Sequence, residues 1–146
     1  MQTVGTKPDG SLWRVGVQDP NNLSGHLGIV SVGEMAVVTS GSYQRYFEQD
    51  GRLYHHIIDP DTLYPGKLWR AVTVVCPDSG LADALSTALF LLPLEEGKSL
   101  VESCGAEAFW VSLTGEEFMK ILKRPVKTEK PPEAITYPAA FLSTAC

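Results

Sequence analysis

The sequence predicts an α+β domain, an antiparallel sheet with one buried helix packed on it. Three stretches carry that reading. Residues 71–76, Ala-Val-Thr-Val-Val-Cys, form an apolar run suited to a strand covered on both faces. Residues 81–92 follow the breaker set Pro77-Asp78-Ser79-Gly80 and are apolar nearly all the way round, with only Asp83, Ser86 and Thr87 polar; a helix of that character is buried. Asp50-Gly51 lies between two strand-like runs, and a two-residue hairpin favours that pair because both central residues need positive φ.

In chain order, Lys7-Pro8-Asp9-Gly10 is a turn, with proline presetting φ and glycine taking the strained position. Residues 13–18 alternate W-R-V-G-V-Q, the period of a half-buried strand, and Asp19-Pro20-Asn21-Asn22 ends it. Residues 27–32 and 35–39 are apolar runs joined by Gly33-Glu34, which reads as a tight hairpin. Ser40-Gly41-Ser42 breaks the chain before the runs 44–49 and 52–58, which flank Asp50-Gly51 and extend the antiparallel meander. Asp59-Pro60 stops the second run, since a residue before proline is pushed out of the helical region. The buried helix, 81–92, closes at Pro93. Residues 98–104 read as a second short helix, 107–112 as a strand, and 115–122 as an amphipathic helix with Phe118, Ile121 and Leu122 apolar. The domain is expected over residues 1–124; from Pro125 the chain is proline-rich and poor in core formers, so 125–146 is expected to be an extended or disordered tail.

The 146 residues make one domain's worth of chain, and 44% hydrophobic with 20% charged residues is ordinary for a soluble globular protein. A net charge of −5 argues against a nucleic-acid partner. No apolar run is long enough to span a bilayer, and Met1-Gln2-Thr3-Val4-Gly5 lacks the apolar stretch of a secretory leader, so a cytoplasmic location is expected. Cys76, Cys104 and Cys146 are odd in number and widely spaced, which argues against a zinc site or a disulfide framework. Cys76, at a strand end, reads as a small core residue.

Asp83 and Thr87 stand four residues apart, one above the other on a helix face. A carboxylate and a hydroxyl so placed offer two hard oxygens, which suit Mg²⁺. A local reading stands beside this one. Asp83 in the first turns can cap free N–H groups, and Thr87 can bond back to a carbonyl of the preceding turn. In His55-His56-Ile57-Ile58-Asp59 a strand places His56 and Ile58 on one face and His55, Ile57 and Asp59 on the other. A histidine paired with the Asp59 carboxylate, two spaced ligands without a third, is a weak zinc signal.

H-I-I-D-P-x-T-x-Y-P, V-T-V-V-x-P and A-D-A-L-S-T-A-L-F occur in that order. Before them come Tyr43-Gln44-Arg45-Tyr46-Phe47-Glu48 and the run from Gly5-Thr6-Lys7-Pro8-Asp9-Gly10 to Asp19-Pro20. Together these segments resemble the ApbE-type flavin transferases (FAD:protein FMN transferases) over about residues 4–122. The resemblance implies half of a duplicated, T-fold-like α+β domain, with this chain starting about where the second half begins. The face left by the other half then needs a partner, a second copy or a separate first half. It implies Mg²⁺-dependent transfer of FMN from FAD to a serine or threonine of an acceptor flavoprotein, releasing AMP. Asp83 and Thr87 would hold the metal against the diphosphate. His56, with Ile58, would line the flavin pocket, His56 acting as base or orienting group, while His55 stays structural. The family usually has arginine where this chain has Asp61 and glycine where it has Leu63, and a negative charge near a phosphate-bearing ligand is unfavourable. Family members often reach the bacterial envelope. Two further readings remain, a non-catalytic flavin-binding or assembly module and an inactive fragment.

Overall fold

The computed structural model describes residues 1–120 and 134–136. The W-R-V-G-V-Q alternation forms β1 (Trp13–Gln18), with Val15 and Val17 buried between exposed Arg14 and Gly16. β1 pairs antiparallel with β2 (His26–Val32), and the chain then passes into β3 (Ala36–Gly41). β4 (Tyr46–Gln49) and β5 (Arg52–His55) close on Asp50-Gly51, whose φ values of 51° and 72° are those the tight hairpin needs. The long apolar strand β6 (Trp69–Cys76) leads into α1 (Ser79–Leu91) and α2 (Leu94–Ser103), and then come β7 (Glu107–Ser112), β8 (Glu117–Lys120) and β9 (Ala134–Thr136).

Among the described residues the strands form three sheets rather than one meander: β3-β6-β7-β8, β1-β2-β9 and the separate hairpin β4-β5. All pairings are antiparallel except β2 with β9, which is parallel. Among the described residues there are two helices, α1 seated across β3 and β6 and α2 against β7. β6 is the hub because both its faces are covered. Val72, Val74 and Cys76 pack with Ala82, Leu85, Leu89, Phe90, Val101 and Trp110 under the helices. Val75 instead joins Val15, Val17, Val30, Val32, Met35 and Val37 beneath the β1-β2 sheet. That double burial explains an apolar run without alternation in an antiparallel sheet.

Other sequence expectations change as well. The runs joined by Gly33-Glu34 are not a hairpin: β2 pairs with β1 and β3 with β6. Neither Gly33 nor Glu34 has the positive φ a tight hairpin needs, and residues 1–3 run along β3 instead, through Thr3 N–H to Met35 O at 2.8 Å and Val37 N–H to Met1 O at 2.8 Å. The amphipathic helix expected over 115–122 is a strand, β8, in its described part, and residues 121 and 122 lie outside the described residues. Gly115 at φ 90° turns the chain back onto β7, so Phe118 sits across from Trp110 and meets Trp69 edge-on at 5.9 Å. The second helix starts at Leu94 rather than near 98, directly after Pro93, which ends one helix and opens the next.

α1 also begins earlier than its apolar run, at Ser79. Asp78 is its N-cap, its Oδ1 accepting from Leu81 N–H at 2.6 Å. At the other end Trp69 Nε1–H donates to Leu92 O at 2.9 Å, satisfying a carbonyl the helix leaves free. Cys76 is buried and free; burial, with the Asp78 carboxylate nearby, raises its thiol pKa, against a hydrogen bond to Asp78 O that lowers it. The expected tail, 125–146, lies outside the described residues apart from β9. Among the described residues no helix is long and apolar enough to cross a membrane.

Candidate functional site

Helix α1 turns Ala82, Leu85, Ser86, Leu89 and Phe90 into the core. Asp83 and Thr87 are left exposed, one turn apart. Asp83 does not cap the helix, because Asp78 already does. Its carboxylate makes no hydrogen bond or ion pair to a described residue. The Thr87 back-bond expected from local structure is present: Thr87 Oγ1–H donates to Asp83 O at 3.3 Å. That bond uses the hydroxyl proton, so the oxygen is left as an acceptor. β3 adds a hydroxyl that sequence reasoning missed, Ser40 Oγ, 2.8 Å from Ser86 Oγ and 3.5 Å from Thr87 Oγ1. No sequence signal marks Ser40, since only the β3–α1 packing brings it there.

β5 ends at His55, yet the in–out alternation continues to Ile58. His55 and Ile57 are buried; His56 and Ile58 are exposed. His55 is held by hydrogen bonds within its own loop. Its Nδ1 accepts from Ile57 N–H at 3.3 Å, so the proton sits on Nε2, which donates to Gly66 O at 2.9 Å. The ring stands edge-on to Phe90 at 5.5 Å and ties the hairpin to α1. His56 Nδ1 lies 3.4 Å from Arg45 O, a long contact.

The loop after Ile58 is wound around Asp59. Asp59 Oδ1 accepts from Asp61 N–H at 2.9 Å and Oδ2 from the Thr62 hydroxyl at 3.0 Å. The Asp61 N–H first, and then the Thr62 hydroxyl, hold the Asp59 carboxyl below its ordinary value. Leu63 N–H donates to Asp59 O at 2.8 Å. Leu63 itself has φ 58° and is 77% exposed, an uncommon conformation for a leucine. Ile58 bridges to Pro65 across this loop.

Thus His56 with Ile58, and Asp83 with Thr87, are two exposed pairs. No hydrogen bond or ring contact joins one pair to the other among the described residues. No group of three or more His, Cys, Asp or Glu side chains able to hold a metal occurs there either. A cleft of about 590 Å³ lies alongside, lined by His55 but not His56 and carrying Arg52, Lys67 and Arg70, none of which sequence reasoning singled out.

Comparison with known proteins bears on this arrangement. The ApbE family model matches residues 1–110. The chain is 43% identical over 102 residues to the FAD:protein FMN transferase of Treponema pallidum, covering 68% of this chain and 28% of that protein. It is 34% identical over 120 residues to the same-named protein of Escherichia coli K12, covering 81% and 34%. Among solved structures, the ApbE protein of Thermotoga maritima is similar with a TM-score of 0.75 at 35% identity, over 80% of this chain and 38% of that one. The apo flavinyl transferase ApbE of Pseudomonas stutzeri matches with a TM-score of 0.59 at 42% identity, over 80% and 36%. The chain therefore spans about a third of the length of the relatives it matches.

Proposed function

This chain belongs to the ApbE family, and from that premise we propose that it takes part in moving FMN from FAD to a serine or threonine of an acceptor flavoprotein, with release of AMP. The observation that carries the reading is the exposed pair on α1, an unpartnered Asp83 carboxylate one turn from a Thr87 oxygen whose proton is already committed to Asp83 O. Both donors are hard oxygens and fit Mg²⁺, with most of its shell left to water and diphosphate. Bound there, Mg²⁺ would neutralise charge on the diphosphate and polarise the phosphoryl group.

The chain's own residues then have these parts. Asp83 supplies the negative charge and Thr87 a neutral oxygen beside it. Ile58, 46% exposed, offers an apolar surface for the flavin ring. His56 Nδ1 faces Arg45 O, so a proton on Nδ1 leaves the Nε2 lone pair free to take the acceptor's hydroxyl proton. The acceptor oxygen bonds to the FMN phosphorus as the phosphorus–oxygen bond to AMP breaks. The exposed Asp61 carboxylate, three residues past Ile58, opposes the approach of a phosphate-bearing ligand from that side.

An acceptor peptide incubated with FAD, Mg²⁺ and this chain is expected to gain one FMN moiety by mass spectrometry, and to gain none with Asp83→Ala. Transfer that is unaffected by that substitution, or by removing Mg²⁺, overturns the reading. A second reading is a flavin-binding or assembly module without transfer. It predicts flavin binding with no modified peptide.

A further inference from the structure

The cleft beside the candidate site is cationic. Arg52 at the start of β5, Lys67 in the loop before β6 and Arg70 in β6 all line it, with Ser42, Tyr54 and Tyr64. No Asp or Glu lines it among the described residues, although the chain as a whole carries a net charge of −5. Three like charges converging from separate elements focus a positive field inside the cleft.

Arg70 gives the sharper sign. Its Nε is buried and has no hydrogen-bond partner among the described residues. Native structures seldom leave such a donor unpaired, so a water or a ligand oxygen is expected to meet it. A guanidinium presents a planar fork of donors that matches two oxygens of a carboxylate or a phosphate.

The lining also bears on the kind of anion. Among the described residues no helix N-terminus opens into the cleft, so none supplies the backbone N–H cradle that usually holds phosphate. At about 590 Å³, with tyrosine and leucine walls, the cleft is far larger than one phosphate and suits a stretch of polypeptide. His55 is part of its wall, and the next residue, His56, is exposed. A segment lying in the cleft therefore passes within a residue or two of the group proposed to receive the acceptor's proton.

We propose that this cleft recognises an acidic stretch of the acceptor protein, its carboxylates held by Arg52, Lys67 and Arg70, and so selects which serine or threonine is presented. The identity of the ligand as an acceptor rests on the transferase reading above; the anion site itself does not.

The test uses the whole chain and a fluorescein-labelled threonine peptide flanked by Asp and Glu, beside its Asn and Gln counterpart. FAD binding is followed separately by flavin fluorescence. The acidic peptide is expected to bind, to weaken as salt rises, and to lose about tenfold or more in affinity in the Arg52→Gln, Lys67→Gln double variant. FAD binding should not move. Both substituted side chains are at the surface, so the fold is retained whatever Arg70→Gln does to it. Equal binding of the two peptides, absence of binding, or displacement of the peptide by inorganic pyrophosphate overturns the proposal. So does a loss of FAD affinity in the double variant, which would make the cleft part of the nucleotide site. Charge-dependent peptide binding with no flavin bound keeps the cleft and sinks the transferase reading. FMN transfer with no preference for the acidic peptide does the reverse.

Discussion

Asp78 and Asp83 sit five residues apart at the start of one helix, and the structure separates their roles. Asp78 accepts from Leu81 N–H, so Asp78→Ala should cost about 0.5–2 kcal/mol, read as a lower melting temperature. Asp83 is exposed and holds nothing in the fold, so Asp83→Ala should change stability by less than about 0.5 kcal/mol while abolishing FMN transfer. A large fall in melting temperature with transfer retained would sink the metal assignment. Leu63 offers a test of strain. A non-glycine residue in the left-handed region costs about 1–2 kcal/mol, while glycine adds roughly 0.4–1 kcal/mol of unfolded-state freedom. With its side chain 77% exposed, little burial is lost, so Leu63→Gly should be stabilising by up to about 1 kcal/mol in denaturant titration. Asp59 carries the pH dependence of the same loop. Its carboxyl titrates below the ordinary 3.8 because Asp61 N–H and the Thr62 hydroxyl favour the charged form. A folded value below the unfolded one means stabilisation present above the unfolded pKa and lost as pH falls through the folded one. The side-chain carboxyl resonance of Asp59 should therefore titrate at lower pH in the folded chain than in urea. Equal midpoints would remove the loop's dependence on that charge.

At the scale of elements, α2 packs closely on β7 at Gly97. A Cβ built on Gly97 would lie 3.2 Å from Trp110 Cζ2 and 3.3 Å from Leu89 Cδ2. Glycine lets the helix settle that near the sheet. Gly97→Leu should lower stability by about 1–3 kcal/mol, seen as an earlier urea midpoint, because the added carbons meet a filled core. An unchanged midpoint would mean that α2 lifts off the sheet at little cost. The same elements show which local signals suffice. β1 and β7 match their sequence patterns to the residue, since W-R-V-G-V-Q and E-A-F-W-V-S are unambiguous strands with turns at their ends. Residues 115–122 failed because so short a stretch with Phe118 apolar fits either period. Pairing with β7 through the Gly115 turn decides in favour of the strand.

Across the whole molecule, several large apolar side chains stay exposed among the described residues. Tyr46, Phe47, Leu53, Tyr64 and Leu68 are 54%, 60%, 50%, 57% and 45% exposed. Phe47 stacks on Tyr54 with centroids 5.1 Å apart. The β4-β5 hairpin that carries most of them forms a sheet of its own, and two strands alone are marginal in water. Self-association, or binding to a first half of the family domain, is expected in sedimentation; a stable monomer at high concentration would count against it. The sequence by itself determined what is local. The periods of β1, β6 and α1, the Asp50-Gly51 hairpin, the shared face of Asp83 and Thr87 and the alternation from His55 to Ile58 each depend on residues within one or two turns of chain. Only the tertiary structure decided which strands pair, so that β2 and β3 part into different sheets and Ser40 comes to lie beside Thr87. It also decided that Arg52, Lys67 and Arg70 share one cleft. Those meetings follow from burying both faces of β6 at once, a condition on the whole chain that no window of its sequence contains.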